Sequence, residues 1–230
     1  MRQGHPLSLY CYHPPEGLPE GVELRDAAEI LPERDIVRHR SGSVALFSNW
    51  FRYELQRRSL GIWLDCDHYL LAPIRHEGGH LFGEEAPGEI ATGIFRVPPD
   101  SPLLAPLLAI FKEQEVPWWL PRRERLRARL RLWRTGRTGI SEMIWGATGP
   151  RALTALARRH GLAGEALPIE VHFPVHYSEA EWLLDPERPL ETMIAPETVG
   201  LHLWNQLIKP WKELPAHPES FLARLHREGA

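Results

Sequence analysis

The chain is expected to fold as an α/β domain: a mixed sheet flanked by helices and carrying a helical insertion. Three observations predict this. An amphipathic stretch, residues 43–59, passes through Gly61 into the apolar run Ile62-Trp63-Leu64. Two strand-like runs, 7–12 and 22–25, lie ahead of it. A block of helical patterns, about 101–160, separates these from a last strand-like run at 199–204. Strand-like and helix-like segments that alternate in this way pack as layers.

At 230 residues the chain is long enough to bury a substantial core. Residues 1–210 read as one domain, and 211–230 as a proline-rich tail ending in a short helix. No run of about 18 apolar residues suits a transmembrane helix. The N-terminus, with two prolines soon after a short apolar run, does not read as a signal peptide. Cys11 and Cys66 are the only cysteines, so no disulfide framework is implied and a cytoplasmic location is expected. A net charge of −3 argues against general nucleic-acid binding.

Taken in order, 7–12 is aromatic-rich, bounded by prolines, and reads as a strand. Residues 22–25 read as a second, followed by a short helix near 27–31. In 43–59, Phe47, Phe51 and Leu55 fall at i, i+4 and i+8 and form a buried stripe, while Asn49 and Arg52 share another face. Residues 81–95 hold a strand, a loop and a second short element, with Glu84, Glu85 and Glu89 as candidate polar groups beside a site, for which the simpler reading is a solvated surface. Residues 103–115 are helical until Pro117. Residues 121–133 start on a favourable proline, and Leu126, Leu130 and Trp133 make their apolar stripe amid six arginines. The simpler reading is an amphipathic helix whose arginine stems cover the core edge. The functional reading is peripheral contact with an anionic membrane through 121–137, at its inner face. Residues 149–160 are a helix with Pro150 at its start, 169–173 a strand, 199–204 the last strand, and 220–227 a basic helix.

The chemistry concentrates at Asp65-Cys66-Asp67. Side chains alternate along a strand, so the two carboxylates are expected on one side and Cys66 on the other. Two such carboxylates make a hard-oxygen site for Mg²⁺ or Mn²⁺ that also accepts phosphate oxygens. The chain has six aspartates, so the D-x-D triplet is mildly informative. A phosphatase with an aspartate nucleophile also uses D-x-D, but here His68-Tyr69 follow, and the first lysine is Lys112.

The wider pattern is more specific. Ser48-Asn49-x-x-Arg52-Tyr53 followed by Gly61-Ile62-Trp63-Leu64-Asp65-x-Asp67 resembles the sugar-binding region of retaining glycosyltransferases with a D-x-D motif and the GT-A fold. That group includes α-1,4-galactosyltransferases, mannosyltransferases and capsular polysaccharide transferases. Thr148-Gly-Pro-Arg-Ala-Leu-Thr154 and Leu201-His-Leu-Trp-Asn205 are similar to two later motifs of the family, so the resemblance runs from Leu7 to about Lys209. It implies a GT-A-like, Rossmann-like sheet whose first strand would lie upstream of Met1. It also implies a hexosyltransferase that uses a nucleotide-sugar donor in polysaccharide biosynthesis. Asp65, Asp67 and His202 would hold Mn²⁺, which imidazole favours over Mg²⁺. Ser48, Asn49, Arg52, Trp63, Asp65, Trp204 and Asn205 would bind the donor, a UDP- or GDP-sugar. Asp65, Asp67 and Arg52 would serve catalysis, and Glu85, Glu89 and Thr92 would lie on the acceptor side. The acceptor would be a hydroxyl of a glycan, a lipid-linked sugar or a protein. Residue 49 is Asn where the family usually has Asp, and an amide carries no charge. The alternative reading is therefore a catalytically impaired or truncated homologue that binds a nucleotide or a glycan.

Overall fold

The computed structural model describes residues 3–229. It opens with β1 (Leu7–Cys11) and β2 (Val22–Asp26), which pair in parallel from Leu7 against Val22 to Cys11 against Asp26. Asp26 then caps a 3-10 turn, Ala27–Glu29, by accepting from the Ala28 N–H at 2.8 Å. The predicted long helix is α1 (Ala45–Arg57). Its Phe47, Phe51 and Leu55 stripe packs on Ala27, Ile30 and Leu31. A second face, bearing Asn49, Arg52 and Tyr53, is buried as well. Gly61, at φ 101°, makes the turn that a side-chain-bearing residue resists. It delivers the chain into β3 (Trp63–Leu64).

Four short strands follow: β4 (His68–Leu70), β5 (Glu84–Ala86), β6 (Glu89–Ile90) and β7 (Ile94–Phe95). The helical block holds α2 (Leu104–Ala109), α3 (Arg122–Thr135) and α4 (Pro150–Arg159). After it come α5 (Ile169–His172), a 3-10 segment Tyr177–Leu184, β8 (Gly200–His202), α6 (Asn205–Ile208) and α7 (Phe221–Glu228).

The class is α/β, as expected, but the sheet is divided. Among the described residues there are four two-stranded sheets, β1–β2, β3–β7, β4–β8 and β5–β6, of which only the first is parallel. An open, mainly apolar cleft of about 990 Å³ accompanies the division. Leu7 and Leu9 of β1, Phe51 of α1, and Ile62, Leu64 and Cys66 around β3 line it.

Two large cores follow. Tyr53, Ile90, Phe95, Leu104, Leu107, Ala128, Leu153 and Leu156 share one cluster, so the helical block packs into the principal core and is not an appendage. Trp182, Leu201, Ile208, Phe221, Leu222 and Leu225 form another, which draws the C-terminal segment into the folded unit. Each buried Leu, Ile or Phe among these contributes roughly 1.5–3 kcal/mol by leaving water.

Two expectations are corrected. Residues 169–172 form a helical turn, not a strand, because Pro168 at its N-cap presets the entry and four residues give β-branching little weight. The stripe Leu126, Leu130 and Trp133 does not face the core: these residues are 69%, 46% and 81% exposed. Only Ala128, on the opposite side of α3, is buried. No helix among the described residues is long and apolar enough to cross a membrane.

The Trp182 ring stacks on Phe221 with centroids 5.0 Å apart. Trp182→Ala is therefore expected to lower the unfolding free energy by about 3–5 kcal/mol, read from urea denaturation. A loss below about 1 kcal/mol would mean that α7 does not share the cooperative core.

Candidate metal centre and its pocket

The carboxylates converge by a turn and not by strand alternation. β3 ends at Leu64, and Cys66 and Asp67 lie in the turn before β4. The Asp65 N–H donates to the Gly93 carbonyl at 2.8 Å, and the His68 N–H closes the turn on the Asp65 carbonyl at 3.0 Å. Cys66 is exposed and lines the cleft on the far side.

β8 brings His202 to this turn. It pairs with β4 in the register His68–His202. The Leu203 N–H donates to the Asp67 carbonyl at 2.8 Å and the Asn205 N–H to Asp67 Oδ2, also at 2.8 Å. Trp204 makes the second contact reachable by adopting the left-handed region, φ 53°, where a bulky residue is strained. Two glycines clear space. A Cβ on Gly93 would stand 3.3 Å from both Asp65 Oδ2 and the His202 ring, and one on Gly200 would stand 2.8 Å from His68 Nε2.

His202 Nε2 lies 3.2 Å from Asp67 Oδ1 and 3.8 Å from Asp65 Oδ2. One ligand atom from each of the three lies within 4.8 Å of the others. Neighbouring ligands on one ion, with bonds near 2.1 Å, stand about 3 Å apart or more. Asp65, Asp67 and His202 can therefore hold a divalent ion. Burial opposes charge on all three, yet their mutual attraction wins. Burial would lower the His202 pKa, but its hydrogen bonds to Asp65 and Asp67 raise it to about 9. Asp67, also opposed by burial, is brought down to about 2 by His202 and the Asn205 N–H. Asp65 is lowered too: burial pushes it up, but Arg52, His202 and Trp63 outweigh that.

α1 sets the other side. The buried Arg52 guanidinium pairs with Asp65 Oδ1 at 3.2 Å. It also donates to Ser48 Oγ at 3.0 Å and to the Thr92 carbonyl, and it lies 4.8 Å over the Trp63 ring. Trp63 Nε1 donates to Asp65 Oδ1 at 2.6 Å. Arg52 thus serves first to position Asp65. Asn49 is buried and donates to Thr148 Oγ1 at 3.1 Å, and the Tyr53 hydroxyl donates to the Thr148 carbonyl at 2.8 Å. A Cβ at Gly149 would meet the Asn49 amide at 2.7 Å, so the Thr148-Gly149-Pro150 turn seats α4 against this face of α1.

A cavity of about 170 Å³ opens over the centre, lined by Asn49, Arg52, Asp65, Glu85, Thr92 and His202 among others. Burial, with Glu89 and Asp65 adding to it and His202 opposing, raises the Glu85 carboxyl to about 7. Glu89 and Asn205 are exposed and outside the lining; Trp63, Asp67 and Trp204 are half-buried and also outside it, and Ser48 lines the cleft instead. The Trp204 ring stands edge-on to His202, with centroids 4.4 Å apart, and its Nε1 donates to the Val175 carbonyl. Asn205 contributes its backbone N–H, while its side chain accepts from Lys212 at 3.2 Å.

The sequence reading missed Gly93, His39 and Trp145. Trp145 lines the cavity, is 59% exposed and meets His39 edge-on at 5.6 Å. Its only sequence signal is position, three residues before the Thr148 motif. The chain matches no protein-family model, no curated protein and no solved structure.

The titration has a testable sign. His202 is raised above its ordinary 6.5, so its contribution is full below that value and is lost as pH rises through 9. Asp67 is depressed below 3.8, so its contribution is full above that value and is lost as pH falls through 2. Metal-free protein is expected to lose on the order of a few kcal/mol between pH 7 and pH 9.5. His202→Gln should flatten that limb in pH-dependent thermal denaturation. A divalent ion bound by the three residues would have to displace the His202 proton, so its affinity should rise by up to about tenfold per pH unit below 9.

Proposed function

We propose that the protein is a metal-dependent glycosyltransferase that moves a sugar from a nucleotide-diphosphate donor to a hydroxyl acceptor, with retention, on a GT-A-like frame. One observation carries the reading. Asp65 and Asp67, at the end of an apolar strand, meet His202, from a distant part of the chain, at ligand spacing. The order of elements supports the frame: a parallel strand pair, a helix, then a short strand ending at the carboxylates.

Asp67 and His202, with Asp65, are the residues that would hold Mn²⁺ and so receive a UDP- or GDP-sugar. When bound, the ion neutralises the departing diphosphate. Arg52 and Trp63 fix the free oxygen of Asp65 toward His202 by occupying the other one. The cavity is smaller than the roughly 300 Å³ at which whole-ligand pockets begin, so it suits one sugar ring and leaves the nucleotide outside. Trp145 offers that ring a flat apolar face at the mouth. Glu85 titrates close to neutrality and can take the proton of the acceptor hydroxyl.

A second reading, binding without turnover, draws on Asn49. Its uncharged amide donates to Thr148, and the Arg52 donors are engaged by Ser48, Thr92 and Asp65.

Mn²⁺-dependent hydrolysis across a panel of UDP- and GDP-sugars tests both. Asp67→Ala should reduce it by about a hundredfold or more. Full activity in Asp67→Ala, or in excess chelator, would sink the metal role. Mn²⁺-dependent donor binding by calorimetry without hydrolysis would select the second reading. Glu85→Gln should lower kcat and remove a limb of the pH profile near 7 while leaving Mn²⁺ affinity unchanged.

A further inference from the structure

The outward face of α3 is built as an interface. Leu126, Leu130 and Trp133 sit at i, i+4 and i+7, so they run in one line along the helix, and all three are exposed. At 100° per residue, Arg122 and Arg129 flank that line on one side and Arg123, Arg127 and Arg134 on the other. Residues 121–137 hold eight arginines against one glutamate, a net of +7 in a chain that carries −3. Some of this charge is used internally: Arg127 meets Glu124 and Arg137 meets Glu113, both at 2.8 Å, and Arg131 bonds the Thr138 and Gly139 carbonyls. Arg122, Arg123, Arg129 and Arg134 have no ion-pair partner among the described residues.

A helix that served only the core would turn Leu126, Leu130 and Trp133 inward. This one packs by Ala128 and leaves them in water, rimmed by cations. Trp118, just before α3, is also 43% exposed, with Arg159 stacked over it at 5.3 Å. We propose that α3 lies flat on an anionic lipid bilayer. Its Leu126, Leu130 and Trp133 enter the boundary between headgroups and acyl chains, and its flanking arginines contact the headgroup phosphates. Charge complementarity selects a negative surface, and the continuous apolar line selects lipid over a polyanion such as RNA, which needs only the arginines. The proposal does not depend on the catalytic reading, because no residue of α3 lines the cavity over the metal centre.

Co-sedimentation of the full chain with phosphatidylcholine vesicles, with and without phosphatidylserine, tests it. Binding is expected only with phosphatidylserine, and it should weaken as salt rises. Each of Arg122→Gln, Arg129→Gln and Arg134→Gln should weaken it by about fivefold. Trp133→Gln combined with Leu126→Gln should abolish sedimentation while leaving the thermal midpoint unchanged, since both side chains are exposed. Four outcomes would overturn the proposal: no binding, equal binding to both vesicle types, indifference to the arginine changes, or indifference to the Trp133 and Leu126 changes. Heparin binding that needs the arginines but not Trp133, with no vesicle binding, would assign the face to a polyanion instead.

Discussion

The contact of His202 with Asp65 and Asp67 is the constraint on which the rest of this structure depends. It joins two chain segments separated by more than half the sequence, and it does so with charge in a largely buried place. Such an arrangement persists only if the geometry around it is closely held, because taking charges out of water is costly. The molecule supplies that hold through backbone. The β4–β8 pairing fixes the height of His202. The Leu203 and Asn205 N–H groups bind Asp67, and the Gly93 carbonyl binds the Asp65 N–H.

Around this contact the side chains divide into those that face the cavity and those that hold others in place. Arg52 is the instructive case. The resemblance implies a donor contact for it, and it does line the cavity. Its buried guanidinium is nevertheless shared among Ser48, Thr92 and Asp65, with Trp63 beneath. The strained Trp204 is similar: its ring packs on His202 while its backbone aims the next N–H at Asp67. Both residues carry chemistry-bearing side chains and act largely by placing carboxylates.

Much of this was legible in the residues. The apolar stripe of α1, the glycine exit and the short strand before Asp65 follow from local pattern, and local pattern decided them. The His202 contact was not visible in periodicity. It was expected only because the resemblance implied it, since a lone histidine in a strand reads as core or surface. Three features escaped for physical reasons. Residues 169–172 carry β-branching too short to overrule Pro168. The α3 stripe has core-like spacing, and its burial depends on what packs against it, which spacing cannot tell. Gly93 and Trp145 matter through what lies near them in space, and neither sits in a pattern that announces this.

Cys66 marks the other side of the turn that carries the candidate metal ligands. It stands between the two aspartates in sequence yet lines the cleft and not the cavity. Its thiol is pushed up, by burial first and then by the negative charges of Asp65 and Asp67. The one turn thus borders both hollows of the molecule, Cys66 lining the cleft and Asp65 the cavity.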